Sequence, residues 1–379
     1  MSKEILMELP PRGYVARRFV ELSTLFLRGV KIVDDELVIE SCLDFQSSLE
    51  EVLKSLEGRG VRNIFLTGND RRYVTNEIAV KLGLDPGVLK STLDILKAFL
   101  KAIKEGSLDE CIPKDLLNTE LAVLNLLKAN FYEYGKIYLT KPSDKYITMD
   151  KLPITIQLLA IIGVLIADVG RAEDAHYYLL PPEGISGEVK VMKQNEIIEI
   201  LKMTASVLRN YVGLPKVLII LRIASGLVEV GYKNDLVVGE VVGINESGNR
   251  ATVVYVEPVS TEGLVTLINS AEGTNAKKLS AMLRTLLDAS VRLTPKGPKG
   301  GNVFNIIVKV ANDILIYSRT GSLDAICSAL SLLWRLTDDV RVSKSESVIA
   351  FVNALEDEGV KEPYKWLSSL VSLLSLIAR

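Results

Sequence analysis

The chain has 379 residues, of which 48% are apolar and 24% charged, the usual balance for a packed globular protein. A chain of this length can form one large domain or two to three ordinary domains, and it can bury a core without disulfides or metal ions. The formal net charge of −2 excludes a strongly basic overall field. Nucleic-acid binding, if present, would therefore depend on local basic patches.

Apolar residues at helical spacing, with Gly and Pro at segment ends, predict most of the secondary structure. In chain order the predicted helices are 14–28, 45–57, 71–82, 86–106, 115–134, 152–169, 190–211, 261–271, 275–293, 303–318, 322–336, 346–358 and 362–378. The predicted strands are a hairpin around Asp34-Asp35, then 62–67, 176–180, 227–232, 236–244 and 250–259.

The last three predicted strands are joined by two segments of turn-forming residues, 233–235 and 245–249. This pattern predicts an antiparallel meander. Mixed elements precede this region and only helices follow it. The sequence therefore predicts an α+β protein with a mixed N-terminal part of short strands, a central antiparallel β-meander and a helical C-terminal bundle. We place the domain boundary near 260, with an α+β body at 1–260 and a helical domain at 261–379.

Two apolar segments bear on whether the chain enters a membrane. Ile154–Val169 is shorter than the roughly 20 residues of a bilayer span, and Gln157 and Asp168 interrupt it, so it predicts a buried core helix. The segment 366–378 contains serines and predicts an amphipathic docking helix. The first residues, MSKEILMELPPRG, lack the apolar region of a signal peptide. We expect a cytoplasmic protein.

The three cysteines lie far apart and include no C-x-x-C pair. They are Cys42, Cys111 and Cys327. This spacing excludes a local thiolate metal cluster and a disulfide scaffold, and it suits a reducing cytosol. Each cysteine is expected to be a small buried apolar residue.

His176 is the only histidine, which excludes a two-histidine metal site. It follows Arg171 at an R-x4-H spacing similar to that of HEPN-type metal-free ribonucleases, where such a pair lies at a helix end. There the two side chains polarise the scissile phosphate and handle the 2′-hydroxyl proton. Here Gly170 breaks the preceding helix and HYYLL predicts a strand, so a surface Arg and a strand-end His are the favoured interpretation.

Motifs for other common enzyme chemistry are absent from the sequence. There is no G-x-x-x-x-G-K-[ST] phosphate loop, no G-x-G-x-x-G fingerprint and no G-x-S-x-G elbow. The acidic residues form no metal-type cluster. We therefore expect a binding and assembly subunit and not an enzyme, with no cofactor and no metal.

The segment 294–302 (TPKGPKGGN) combines three glycines with Lys296 and Lys299. Glycine lets backbone N–H groups approach phosphate oxygens closely, and the lysines add positive charge. The alternative is a surface loop with no ligand.

The charge around this segment is also uneven. Residues 277–319 contain eight basic and two acidic residues, whereas residues 320–362 contain four basic and eight acidic residues. A basic segment beside a basic helix is typical of a surface that follows a nucleic-acid backbone. We predict that Arg292, Lys296 and Lys299 contact nucleic acid.

A second candidate is the segment 67–73 (TGNDRRY), a polar turn between a predicted strand and a predicted helix. Arg and Asn are the side chains that read base edges through two hydrogen bonds, and a helix N-terminus attracts phosphate. We predict that Asn69, Arg71 and Arg72 contact nucleic acid. The alternative is a helix cap with solvated arginines. Arg12, Arg17 and Arg18 add basic charge nearby in the sequence.

The order of these segments resembles a known family. LLAIIGVLIADVG leads into HYYLLPPEG, GLPKVLIILRIAS follows a long helix, and a β-meander precedes a helical tail. This order is similar to that of the large subunit of the archaeal type I-A CRISPR interference complex (Cascade), Apern subtype. The resemblance covers most of the chain through apolar patterns.

The resemblance implies a non-catalytic subunit in antiviral defence, with an α+β body and a C-terminal helical bundle. Its implied partners are the other Cascade subunits, the crRNA, target double-stranded DNA and a separate nuclease-helicase. Its implied role is to recognise the protospacer-adjacent motif and to help open the duplex. No recognition residue is fixed by the resemblance.

Two other functions stay open. One is a metal-independent ribonuclease or nucleotide-sensing effector that uses Arg171 and His176. The other is a scaffold subunit without nucleic-acid contact.

Overall fold

The computed structural model describes residues 5–61, 64, 70, 77–85, 91–106, 111–129, 151–172, 174–181, 194–211, 214–247, 250–293, 301–342 and 345–378. The first half of the chain mixes helices with short strands. In order these are β1 (Ile5–Glu8), α1 (Val15–Phe26), β2 (Val30–Val33), β3 (Glu36–Ile39), α2 (Cys42–Glu57), α3 (Ala79–Lys81), α4 (Thr92–Glu105), α5 (Lys114–Asn118), β4 (Glu120–Ala122), a 3-10 helix (Asn125–Lys128), β5 (Lys151–Pro153), α6 (Ile154–Ala167), β6 (Asp168–Ala172) and β7 (Ala175–Leu180).

The second half contains one long hairpin and otherwise helices among its described residues. The elements are α7 (Gln194–Tyr211), α8 (Lys216–Glu229), β8 (Val237–Ser247), β9 (Arg250–Ser260), α9 (Leu264–Asn269), α10 (Gly273–Arg292), α11 (Gly301–Thr320), α12 (Leu323–Val342), α13 (Glu346–Asp357) and α14 (Pro363–Ile377). The predicted α+β class, with antiparallel sheets and a helical C-terminal part, is confirmed.

The described strands form three sheets, with the orders β1-β3-β2, β4-β5 and β6-β7-β8-β9. The four-stranded sheet is a meander, but the prediction of a strand at 227–232 is wrong. Residues 227–229 end α8, because Gly231 takes a left-handed conformation (φ 98) and the Tyr232 N–H donates to the Leu227 carbonyl at 2.9 Å. The strand β7 pairs with β8 in its place, and β6 pairs with the other edge of β7.

The predicted helix at 115–134 is also wrong over its described part. That part contains the short helix α5, the strand β4 and a 3-10 helix. Residues 120–122 form a strand and not a helix because they pair with β5, where Leu121 lies opposite Leu152. The predicted strand at 62–67 lies almost entirely outside the described residues.

The hairpin predicted at Asp34-Asp35 is confirmed. The strands β2 and β3 pair antiparallel, with Val33 opposite Glu36. Asp34 takes a positive φ of 56°, which a tight hairpin turn requires and Asp tolerates.

The chain divides into two compact units. One contains Met1–Glu199 and Glu240–Glu257, and the other contains Ile200–Gly239 and Pro258–Arg379. The second unit thus resumes near the boundary expected at 260, and it also includes a segment from the middle of the chain.

The core of the first unit is built on α6, in which every residue is buried. The predicted core helix is therefore confirmed. The helix packs directly against α1, and Gly163 lies against the Phe19 backbone. Gln157 is fully buried, and its amide donates to the carbonyl oxygens of Leu121 (3.1 Å) and Leu152 (3.2 Å). Within the described ranges, no helix combines the length and apolar character needed to cross a membrane.

Asp235 organises the start of α9 in the second unit. One carboxylate oxygen accepts hydrogen bonds from the Thr261 hydroxyl (2.7 Å) and the Val265 N–H (3.1 Å), and the other accepts from the Thr266 hydroxyl (2.6 Å). Partial burial raises the pKa of Asp235, but the hydrogen bonds from Thr266, Thr261 and the backbone outweigh it, so the pKa is lowered. The carboxylate therefore caps a helix end.

A partly buried polar cluster joins α7, α8 and α10. The Tyr211 hydroxyl and the Arg222 Nε–H both donate to Asp288 Oδ1, each at 2.8 Å. Burial, and next the negative charge of Asp288, raise the pKa of Tyr211 well above its ordinary value. The phenol therefore stays protonated and serves as a donor.

The prediction for the three cysteines is wrong. Cys42 and Cys111 form a disulfide with their Cα atoms 5.3 Å apart, although 69 positions separate them in the sequence. Cys327 is exposed and not buried. Sequence spacing missed the pair because the packing of α2 against α4 brings the two cysteines together.

Candidate nucleic-acid interface

Most of the predicted contact residues lie outside the described part of the chain. These are Asn69, Arg71, Arg72, Lys296 and Lys299. Asp70, between two of them, is described and is 94% buried, with its carboxylate accepting from the Asn125 N–H at 3.1 Å. This hydrogen bond ties Asp70 itself to the 3-10 helix of the first unit.

Arg292 is the last residue of α10 and is held by two carboxylates. Its guanidinium donates to Asp357 Oδ2 at 2.9 Å and to Glu358 Oε1 at 2.6 Å, and 48% of its side chain is exposed. A phosphate that binds Arg292 would have to compete with both carboxylates.

Two other arginines of the basic segment 277–319 are also paired within the second unit. Arg284 contacts Glu229 at 3.2 Å, and Arg319 contacts Glu262. Lys277, Lys278 and Lys309 are exposed, and no ion pair is found for them among the described residues. Because acids from elsewhere in the fold meet these arginines, the unpaired positive charge among the described residues of 277–319 lies on Lys277, Lys278 and Lys309.

The N-terminal arginines are not part of a free basic surface. Arg17 and Arg18 are each 94% buried on α1. Arg17 contacts Asp35 at 2.8 Å, and Arg18 contacts Glu240 at 3.2 Å and the Pro181 carbonyl. These arginines stabilise the first unit, because their charges are paired with carboxylates of the same unit.

Arg171 and His176 are brought together by the β6-β7 hairpin. They lie directly opposite each other in the antiparallel register, so their side chains share one face of the sheet. Tyr178, two positions along β7, lies on the same face and packs edge-on against Phe19 of α1. The predicted strand is confirmed, and the helix-end arrangement of HEPN-type ribonucleases is not the one found here.

One aromatic feature was missed by the sequence reasoning. Tyr177 of β7 and Tyr255 of β9 meet edge to face, with ring centroids 5.8 Å apart, across Gly243 of β8. A Cβ atom at Gly243 would lie 2.9 Å from Tyr255 Cβ and 3.2 Å from Tyr177 Cε1. Partly exposed aromatics on a sheet are the kind of side chain on which unpaired bases stack. In the sequence, the signal is an aromatic residue in each of the two strands that flank the glycine-bearing strand. It can be recognised only when the strand pairing is known.

Among the described residues, no group of three or more His, Cys, Asp or Glu side chains is placed to hold a metal ion. No protein-family model matches the chain, and no curated protein matches it.

Proposed function

We propose that this chain is the non-catalytic large subunit of a cytoplasmic, archaeal type I-A CRISPR RNA-guided surveillance complex (Cascade) in antiviral defence. In this role it recognises the protospacer-adjacent motif on target duplex DNA and assembles with the other Cascade subunits and the crRNA. It recruits a separate nuclease-helicase. The resemblance of its segment order and its C-terminal helical part support the proposal.

The observation that carries the DNA-binding part is the position of the Lys-rich segment. Residues 294–300 connect the end of α10 to the start of α11. The helix α11 has 20 residues and no acidic side chain in its first turn. Its N-terminus carries N–H groups without partners inside the helix and a partial positive charge, and Lys296 and Lys299 precede it closely in the sequence. This combination suits a phosphate of the DNA backbone.

Reversing both charges, with Lys296→Glu and Lys299→Glu, is expected to weaken duplex binding by the assembled complex about tenfold or more. The loss should be similar for all DNA sequences, and the slope of log affinity against log salt should decrease by about two, because phosphate contacts carry no base information. Binding isotherms at several salt concentrations measure both effects.

The matched control makes the same charge change in the acidic C-terminal region. Lys361→Glu with Lys365→Glu alters two exposed lysines near and within α14. This variant should keep the original affinity and salt slope. Equal behaviour of the two double variants would exclude a specific role for the Lys-rich segment.

A metal-independent ribonuclease is the second candidate, and the cross-strand pairing of Arg171 with His176 favours it. If this function is correct, the chain cleaves RNA in the presence of EDTA, and His176→Ala abolishes the cleavage because no other histidine can replace it. Gel analysis of labelled RNA measures the activity, and thermal unfolding checks that the variant is folded. If the chain is a non-catalytic subunit, we expect no RNA cleavage by the original chain or by the His176→Ala variant.

The third function, a scaffold without nucleic-acid contact, makes a separate prediction. Such a chain would shift neither DNA nor RNA at low salt, either alone or within its complex. A salt-sensitive shift supports the binding subunit over the scaffold.

A further inference from the structure

The disulfide between Cys42 and Cys111 closes one end of a helical hairpin. Cys42 is the first residue of α2, and Cys111 follows the end of α4. The two helices pack against each other. At their other end they are connected by residues 58–91, which include the predicted contacts Asn69, Arg71 and Arg72.

Polar contacts run along the same hairpin. Near the disulfide, the Gln46 amide donates to the Ile103 carbonyl at 3.0 Å and contacts Cys42 Sγ at 3.3 Å. Further along, Lys104 contacts Glu50 at 2.6 Å, and Lys97 contacts Glu57. These ion pairs are exposed and contribute little stability. The disulfide is the covalent connection at this end, beside the buried apolar side chains of Phe45 and Ile103.

The two cysteines differ in access to solvent. Cys111 is buried, whereas Cys42 is only partly buried at the N-terminus of a 16-residue helix. A helix N-terminus and the Gln46 N–H both favour negative charge on the Cys42 sulfur. Cys42 is therefore the more accessible cysteine of the pair, and its environment stabilises the reduced form at its sulfur.

We propose that the Cys42–Cys111 disulfide is a reversible redox clamp on the α2–α4 hairpin. A small-molecule thiol, as its thiolate, attacks Cys42 Sγ and forms a mixed disulfide. The S–S bond breaks, and its electron pair leaves on Cys111 Sγ, which then takes up a proton. A second thiolate attacks the sulfur of the reagent in the mixed disulfide, which releases the reagent as its own disulfide and Cys42 as a thiolate. Two thiols are oxidised and one protein disulfide is reduced.

Opening the clamp removes the covalent link between the first residue of α2 and Cys111, which follows α4. Loss of a cross-link that spans 69 positions restores the conformational entropy of a long loop in the unfolded chain, so the melting temperature should fall by roughly 10 °C. Local opening of α4 should also expose its lysines, Lys101 and Lys104, to trypsin at a rate several-fold higher. This inference concerns the chain alone and does not depend on the proposed function.

The experiment uses the full chain purified without reductant and equilibrated in buffers of reduced and oxidised glutathione. Thiols are trapped by alkylation and counted by mass spectrometry after denaturation. We expect one reactive thiol, Cys327, in oxidising buffer and three in reducing buffer, with Cys42 and Cys111 appearing together while the protein is still folded. Reoxidation should restore the original count and the original melting temperature.

The variants Cys42→Ser and Cys111→Ser should lose the dependence of melting and trypsin cleavage on reductant, whereas Cys327→Ser should keep it. Three thiols in oxidising buffer would contradict the clamp. A bond that reduces only when the protein unfolds, or reduction that leaves melting and cleavage unchanged, would also contradict it.

Discussion

Replacing Gly163 with alanine is expected to destabilise the first unit by roughly 3 kcal/mol, because the added methyl group has no space. A Cβ atom there would overlap the Phe19 carbonyl oxygen and lie 2.6 Å from the Phe19 carbonyl carbon. These are backbone atoms of α1, so only a separation of α1 and α6 can relieve the overlap. That separation loosens the core and outweighs the about 1 kcal/mol that alanine gains over glycine inside a helix.

The matched control is Gly226→Ala, at a glycine inside α8. A Cβ atom at that position would lie 2.7 Å from Met203 Sδ, the far end of a flexible side chain that can move. Its free energy of unfolding should stay within about 1 kcal/mol of the original. Denaturant unfolding followed by circular dichroism measures both variants. Equal stability of the two would show that α1 and α6 are not in direct backbone contact.

The second large effect is expected from Asp288→Ala, at roughly 3 kcal/mol of lost stability. The change leaves the Arg222 guanidinium and the buried Tyr211 hydroxyl without the oxygen to which both donate. An arginine that is only 16% exposed and has lost its counter-ion is costly to keep in place.

A double-mutant cycle separates the ion pair from the packing around it. Arg222→Met removes the charge and keeps an apolar side chain of similar length. The double variant should lose less stability than the two single variants together, by at least about 1 kcal/mol in the free energy of unfolding. Asp338→Ala, at a half-exposed carboxylate on α12, should change stability by less than about 0.5 kcal/mol. Additive effects in the cycle would contradict the direct contact of Arg222 with Asp288.

The C-terminal helices could be predicted because local signals mark them. The helices α10, α11, α13 and α14 begin and end within a few residues of their predicted bounds, whereas α12 continues past 336 to Val342. Apolar residues at helical spacing identify each helix, and Pro363 marks the start of the last one.

The error at 227–232 shows where local signals fail. The run LVEVGY alternates apolar and other residues, which favours a strand. It is also the end of a longer apolar pattern that starts at Val217 and is buried as a helix. The length of the periodic segment decides between a strand and a helix. Six residues taken alone do not show that length.

Contacts between distant positions could not be predicted from one sequence. Arg18 is paired with Glu240, more than two hundred positions away, and Cys42 is bonded to Cys111 across two helices. Charge counts along the chain therefore overstated the free basic surface, because Arg284, Arg292 and Arg319 meet acids from other segments.

Binding of duplex DNA by the assembled Cascade, prepared with and without this chain, tests the proposed function most directly. Affinities are measured for two duplexes that differ only in the protospacer-adjacent motif. We expect the complete complex to prefer the duplex with the motif, and the complex that lacks this chain to bind both weakly and equally. Unchanged discrimination without the chain would contradict its assignment as the motif-recognising subunit.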